Sequence, residues 1–308
     1  MPMTQRQQAA ALSNLFPDAA AAVAEWPLGL LEARAAVERS SQALCVSVWE
    51  TIGARLPGRR EELLSAVFEA AGLTFGPVPE ASVRTEVRDH QAVLNEVGAG
   101  VPTSLDGLVE WKTGVVSIES KFTEREFGSC FQPKPSLVNP SDARFKADQP
   151  RLRLPNCTGD HAVGSDLKPA TARHAAACRL TVQDGRRSPR RYWDIAPELF
   201  QPSVLTTGQA CPFCTDAYQL MRNLAFACQR ATDLGKPTFG CLVMLVDAAP
   251  AADRMRAHVQ SFRNLLRDDR TELVGVMSYE QLASVLRQHH ETALAAWVEA
   301  RIAAVCTS

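Results

Sequence analysis

The 308-residue sequence lacks the signatures of several common protein classes. No apolar run approaches the roughly 20 residues of a membrane-spanning helix, so we expect no association with a membrane. There is neither a Walker-type phosphate loop nor a glycine-rich dinucleotide fingerprint, which argues against the nucleotide-binding folds that depend on them. The opening residues, MPMTQRQQAAALSNLF, contain neither a basic segment nor an apolar one. We therefore expect no secretory signal and a cytoplasmic location.

A strong net charge is also lacking, since the formal charge is −1. The charge is unevenly placed, however: residues 140–195 hold eleven Lys or Arg against six Asp and no Glu. A basic segment on a nearly neutral protein can bind phosphate groups, although it can equally be a solvated loop. Within "DGRRSPRRYW", Tyr192 or Trp193 could stack on a base. The arginines of this stretch are candidates for nucleic-acid contact: Arg186, Arg187, Arg190 and Arg191.

Nine cysteines without a secretory signal indicate a reducing compartment, where thiols stay free or bind metal. "CPFC" places Cys211 and Cys214 in a C-x₂-C pair, and a complete Zn²⁺ or iron–sulfur site needs two further ligands. Several residues of the irregular segment could supply them, namely Cys130, Cys157 and Cys178, with His161 and His174, and we take Cys130 and Cys178 as the candidates. The alternative is that all four are free thiols.

The order of predicted elements indicates a mixed α/β domain. Residues 1–80 are rich in Ala, Leu, Glu and Arg and are predicted to be a helical N-terminal elaboration. Residues 81–308 are predicted to be the α/β core, forming one compact unit with 1–80. The core begins with a three-stranded meander that ends in "TSLDGLVEW" and "GVVSIESKF". A helix from about residue 216 to residue 233 follows, then the buried strand "FGCLVMLVD", a helix, the strand "TELVGVMS" and two closing helices.

Three charged side chains fall on the hairpin formed by the second and third predicted strands. Side chains alternate between the faces of a strand, so Glu119 and Lys121 point the same way. A turn at residues 112 and 113 would place Asp106 opposite Glu119, whereas a turn at residues 113 and 114 would place it opposite Lys121. Either register brings the three groups onto one face, with Cβ atoms about 5–8 Å apart.

Two acids on neighbouring strands repel each other, and a divalent cation would remove the conflict. Mg²⁺, or Mn²⁺ in its place, takes hard oxygen ligands, commonly one or two carboxylates together with water. Asp106, Glu119 and the backbone carbonyl of Ser120 could provide three such ligands. Lys121 could hold an attacking water or stabilise negative charge on a phosphodiester. The alternative is a hairpin whose charged face merely contacts water.

"LDGLVEW" and "VVSIESKFTE" resemble the motifs of the PD-(D/E)xK nuclease superfamily. Asp106 matches the first acid, while Glu119 and Lys121 match the Glu-x-Lys; Leu105 stands where the motif's proline would be. The resemblance implies a restriction-endonuclease-like fold, with a mixed central sheet flanked by helices. It also implies metal-dependent hydrolysis of phosphodiester bonds in DNA, in restriction or defence.

"YQLMRNLAFA" resembles the Gln-plus-Arg helix beside the site in several branches of that superfamily. The resemblance implies that Gln219 positions a water or a metal ligand, and that Arg222 contacts a phosphate or Glu119. Asn223 occupies the position where the exonuclease branch usually has Tyr, which favours a restriction-type or an uncharacterised branch. Members often add another acid, for which the candidates are Glu50, Glu86 and Glu124.

Two other functions remain open at this stage. The chain could bind nucleic acid through a non-catalytic nuclease fold, or it could be an unrelated α/β protein whose hairpin is solvated. DNA is the expected partner, and a homodimer stays open.

Overall fold

A computed structural model describes much of the chain. The described residues are 4–27, 31, 33–36, 40–88, 93–96, 103–130, 136–137, 146–149, 151, 153–154, 191–205, 211–213 and 217–306. The strands are β1 (Ser82–Arg88), β2 (Ser104–Trp111), β3 (Gly114–Ser120), β4 (Ser136–Leu137), β5 (Arg153–Leu154), β6 (Thr238–Leu245) and β7 (Val274–Ser278).

Helices precede these strands in the sequence, separate some of them and follow the last one. They are α1 (Gln5–Ser13), α2 (Pro17–Ala22), α3 (Ser41–Gly53), α4 (Arg59–Ala70), α5 (Tyr192–Leu199), α6 (Ala217–Asp233), α7 (Ala252–Arg263), α8 (Tyr279–Gln288) and α9 (Thr292–Cys306). Short 3₁₀ turns cover Ala33–Ala36, Pro202–Leu205 and Asp268–Leu273. None of the helices described has the length and apolar character needed to cross a membrane.

Five strands form the central sheet, in the order β1-β2-β3-β6-β7. The β1–β2 and β2–β3 pairs are antiparallel, whereas the β3–β6 and β6–β7 pairs are parallel. β3 therefore joins the meander to the parallel half of the sheet, and every one of its residues is buried. β4 and β5 form a separate two-stranded ladder.

The β2–β3 turn lies at residues 112 and 113, because Trp111 pairs with Gly114 and Gly107 pairs with Ile118. The first of the two predicted registers is therefore correct, and the second is wrong. Packing explains the choice: a Cβ atom at position 114 would lie 2.1 Å from the Trp111 ring, so only glycine fits there. Trp111 is itself buried, and its ring occupies the space beside Gly114.

Helices cover both faces of the sheet, which confirms the predicted mixed α/β fold. On one face, α5, α6 and α7 pack against apolar side chains of β2, β3 and β6. On the other face, α3, α4, α8 and α9 share a second apolar cluster with the same three strands. Helices from both sides of residue 80 contribute to this second cluster, while α1 and α2 form a smaller one with α3. The proposed division at residue 80 stays a prediction.

The structure adds detail to the predicted helical elaboration over residues 1–80. Its helices are separate: α2 ends at Ala22, and α3 starts only after Ser40, whose hydroxyl accepts a hydrogen bond from the Ala43 amide. Pro27 lies between them and disfavours helix in the residue before it. α5 was not predicted, and Pro197 lies inside it. This helix buries Tyr192, which is therefore not free to stack on a base.

Candidate active site

Asp106, Glu119 and Lys121 meet where β2 and β3 lie side by side. The Lys121 ammonium lies 2.8 Å from Oε1 of Glu119. One Asp106 oxygen, Oδ2, accepts a hydrogen bond of 2.8 Å from the amide of Ser120, between the two. The amide of Lys121 donates to the Met244 carbonyl of β6, which ties the end of β3 to the parallel half of the sheet. The side chain of Glu119 is only 1% exposed and that of Lys121 11%.

Two amide side chains from α6 complete the surroundings of Glu119. Gln219 donates from Nε2 to Oε1 at 2.7 Å, and Asn223 donates from Nδ2 to Oε2 at 2.6 Å. Residues four apart lie on the same face of a helix, so both amides can reach one carboxylate. Together with Lys121 they provide three N–H donors, which compensates for burying the carboxylate away from water.

The segment after β3 holds Gln219 in place. Its Oε1 accepts a hydrogen bond of 2.7 Å from the Gly128 amide, and its own backbone amide donates to the Gly128 carbonyl at 3.2 Å. A Cβ atom at position 128 would lie 3.2 Å from the same Oε1. Phe127 in this segment places its ring 5.7 Å from the Lys121 ammonium, a cation–π distance.

Arg222 lies on the same helix as the two amides but contacts different groups. Its guanidinium donates to the Ser104 carbonyl at 3.2 Å and to Oδ1 of Asn223 at 3.4 Å, rather than to Glu119. The bond to Oδ1 fits an Asn223 amide oriented with its nitrogen towards the carboxylate. Arg222 therefore links the side chain of Asn223 to the start of β2 through hydrogen bonds.

The charges at the site shift the pKa values of two of its groups. Burial raises the pKa of Asp106 well above its usual value, and the neighbouring charge of Glu119 raises it further, against the opposing effect of Lys121. Burial acts to lower the pKa of Lys121, but the charges of Glu119 and Asp106 outweigh it and raise that pKa. Lys121 therefore stays an ammonium ion at neutral pH.

Two of the three candidates for an additional acid, Glu50 and Glu124, accept hydrogen bonds from residues outside the site. Glu50 accepts hydrogen bonds from the amide and hydroxyl of Thr85 at 3.0 and 2.6 Å, and burial raises its pKa. Glu124 accepts a hydrogen bond of 2.6 Å from the hydroxyl of Ser41, and it also accepts hydrogen bonds from the backbone amides of residues 122 and 123. Burial acts to raise the pKa of Glu124, but the Ser41 bond and the charge of Lys121 lower it.

Glu86 lies closest to Asp106 in the strand register. The β1–β2 ladder pairs residue 85 with 107 and residue 87 with 105, and it is interrupted at Glu86 and Asp106. Glu86 has a φ of 50°, which is unusual for a residue with a side chain. Its charge also raises the pKa of Asp106. The Asp106 carbonyl accepts a 3.6 Å hydrogen bond from the thiol of Cys45 on α3.

A family model for restriction endonucleases associating with ARP matches residues 33–301. The chain belongs to this family. Membership confirms the resemblance to restriction-endonuclease-like nucleases and agrees with the mixed sheet flanked by helices. No curated protein and no solved structure matches the chain.

Restriction-endonuclease-like nucleases usually use divalent metal ions, and the donors present here fit one. Asp106 and Glu119 offer hard carboxylate oxygens at a buried position; burial raises the pKa of Asp106, and the charge of Glu119 raises it further. Within the described residues, no three or more His, Cys, Asp or Glu side chains form a cluster that could hold a metal. A cation here would therefore rely on two carboxylates, with water or a backbone carbonyl such as that of Ser120 completing its coordination.

The other predicted site residues of this restriction-endonuclease family member have no contact with the hairpin carboxylates that the structure establishes, or lie outside the described residues. Cys130 is buried and Cys211 half-buried, whereas Cys178 and Cys214 lie outside, so the structural metal stays a prediction. Arg191 forms an ion pair of 3.3 Å with Asp233 at the far end of α6, about 20 Å along the helix from Gln219. Arg186, Arg187 and Arg190 lie outside the described part of the chain.

Asn223 is the site residue that sequence reasoning did not identify. Its position was noted only because it lacks the Tyr of the exonuclease branch. The available signal was its spacing, four residues after Gln219 on the same helix.

Proposed function

We propose that the protein is a Mg²⁺-dependent deoxyribonuclease that hydrolyses phosphodiester bonds, with Mn²⁺ able to replace Mg²⁺. The convergence of Asp106, Glu119 and Lys121 on one hairpin carries the proposal, within a family of restriction endonucleases. A cytoplasmic role in restriction or defence is part of the proposal.

Each residue has a role that follows from its surroundings. Asp106 and Glu119 would hold the cation, which when bound would lower the pKa of a coordinated water and neutralise phosphate charge. Lys121 keeps its proton at neutral pH, so it suits stabilisation of negative charge on the phosphate better than removal of a proton from water. Gln219 orients Glu119 and is itself held by Gly128.

Two exposed arginines near the site are candidates for contact with the DNA backbone. Arg125 follows Lys121 by four residues, and the guanidinium of Arg254 on α7 donates to the Arg125 carbonyl. Two exposed cationic side chains on contacting segments would attract a phosphate group and increase the salt dependence of DNA binding. The basic segment containing Arg186, Arg187, Arg190 and Arg191 would extend this contact.

Cleavage of supercoiled and linear DNA with Mg²⁺, Mn²⁺ or excess chelator tests the proposal. We expect cutting with either ion and none with chelator. Glu119→Gln should abolish cutting without unfolding the protein. Lys112→Met is a suitable control, because Lys112 lies on the same hairpin, is 63% exposed and pairs with exposed Glu80. A Glu119→Gln variant that cuts like the wild type would refute the proposed role of the site.

Nucleic-acid binding without hydrolysis is the second candidate function. It is favoured by the N–H donors that already surround both oxygens of Glu119, and by the lack of a third carboxylate clustered with Asp106 and Glu119 among the described residues. In the same assay, a shift of DNA mobility with no cutting in either metal ion would select this function.

A further inference from the structure

Glu119 needs more than one contact to keep its carboxylate in a single orientation. The terminal torsion of a glutamate side chain is broad, so one hydrogen bond leaves the plane of the carboxylate poorly defined. Lys121 and Gln219 both contact Oε1. Asn223 contacts Oε2, and this second point of attachment fixes the rotation of the group.

The position of Asn223 is itself well defined. Its side chain is 0% exposed, and its Oδ1 accepts a hydrogen bond from Arg222. Its backbone carbonyl accepts a 3.0 Å hydrogen bond from the hydroxyl of Ser117, two residues before Glu119 on β3. The strand and the helix are therefore joined by both the backbone and the side chain of one residue.

We propose that Asn223 is a positioning residue of the nuclease site, which holds Oε2 of Glu119 so that the carboxylate presents a fixed orientation to a divalent cation. The inference rests on the proposed function. Asn223 is too buried to contact DNA, so it acts through Glu119. Groups that orient a metal ligand in this way typically contribute about 10–100-fold to metal affinity or activity.

The test measures the Mn²⁺ dissociation constant of the full-length protein by electron paramagnetic resonance, alongside kcat and KM for DNA cleavage. For Asn223→Ala we expect Mn²⁺ affinity and kcat to fall by about 10–100-fold while KM for DNA changes little. Partial unfolding raises the apparent dissociation constant only in proportion to the loss of folded protein, so a sample shown by circular dichroism to be more than about 90% folded cannot imitate a tenfold change.

Two further variants separate positioning from general stability. Leu224→Val shortens the neighbouring core side chain of the same helix, and it should lower the melting temperature without changing Mn²⁺ affinity. Asn223→Asp keeps the volume but replaces the N–H donor by an oxygen, so kcat should still fall by at least about tenfold. If Asn223→Ala does not fold, Asn223→Asp tests the positioning role in its place.

The outcomes are distinct from those for the proposed function. If the wild type binds Mn²⁺ and Asn223→Ala binds it equally well, or if Asn223→Asp cuts like the wild type, the positioning role is wrong and the nuclease function stands. If the wild type neither binds Mn²⁺ nor cuts DNA, the proposed function is wrong, and the positioning role falls with it.

Discussion

Removal of the Lys121 charge should destabilise the protein in a pH-dependent way. Lys121 and Glu119 form a buried ion pair, with Nζ and Oε1 2.8 Å apart and side chains 11% and 1% exposed. Lys121→Met keeps most of the apolar stem but leaves the carboxylate of Glu119 beside that of Asp106 without their shared cation. Because the two carboxylates repel each other, the folded state should lose free energy relative to the unfolded state.

The size of the loss follows from the contacts that remain. Removing one partner of a buried ion pair costs about 3–5 kcal/mol. Gln219 and Asn223 still donate to Glu119 in the variant, so its carboxylate keeps two hydrogen-bond partners. We therefore expect a loss near the lower end of that range, about 3 kcal/mol, in the free energy of unfolding at neutral pH. Lys112→Met, which breaks an exposed pair with Glu80, should cost only about 0–1 kcal/mol.

The pH dependence gives the sharper test. In the wild type the pKa of Lys121 is raised, so its contribution is complete below the unfolded pKa and is lost only as pH rises through the higher folded value. In the variant the cost comes from ionised carboxylates, and the pKa of Asp106 is already raised. The penalty should therefore shrink as pH falls and these groups take up protons.

Urea denaturation between about pH 5 and about pH 9 would measure this effect. Chelator should be present, so that no divalent cation replaces the missing charge. Equal losses for Lys121→Met and Lys112→Met, or a Lys121→Met penalty that grows towards acid pH, would refute the reasoning.

Three other substitutions have defined expected outcomes. Asp106→Asn should abolish cutting yet raise the free energy of unfolding at neutral pH, because burial and the charge of Glu119 raise the pKa of Asp106 and so disfavour its ionised form in the folded state; a lower stability by urea denaturation would contradict this. Gly128→Ala should lower kcat, since the new Cβ would lie 3.2 Å from Oε1 of Gln219, and unchanged kinetics would show that the contact is not limiting. Tyr192→Phe should cost about 1–3 kcal/mol, because it removes a donor to the buried carboxylate of Glu96; an unchanged melting temperature would argue against that bond.

The hairpin could be predicted because its geometry depends on residues that are close together in the sequence. Strand alternation placed Glu119 and Lys121 on one face, and the structure keeps them there. The register was narrowed to two choices, and the packing of Gly114 against Trp111 decides between them. The helix predicted from about residue 216 to residue 233 matches α6 (Ala217–Asp233), because its apolar residues recur at helical spacing.

The parts that escaped prediction depend on contacts far apart in the sequence. Asn223 reaches Glu119 only because one face of α6 lies against β3, a pairing of residues 104 positions apart. Glu86 and Asp106 come together through the β1–β2 ladder, and its interruption at these residues has no local signal in the sequence. α5 forms despite Pro197 because Tyr192 is buried and bonded to Glu96 and Thr103, so tertiary contacts outweigh local preference.

A second contact, separate from the one at Glu119, attaches α6 to the sheet. Arg230, seven residues after Asn223 and about 10 Å further along the helix, forms a 2.6 Å ion pair with Glu110 on β2. Glu110 also pairs with half-exposed Arg84 at the rim of the sheet. A helix attached at two separate points cannot slide by one turn unless both attachments break together. Loss of the Arg230–Glu110 ion pair by mutation at that rim should therefore leave the helix in register, because its contacts with Glu119 remain.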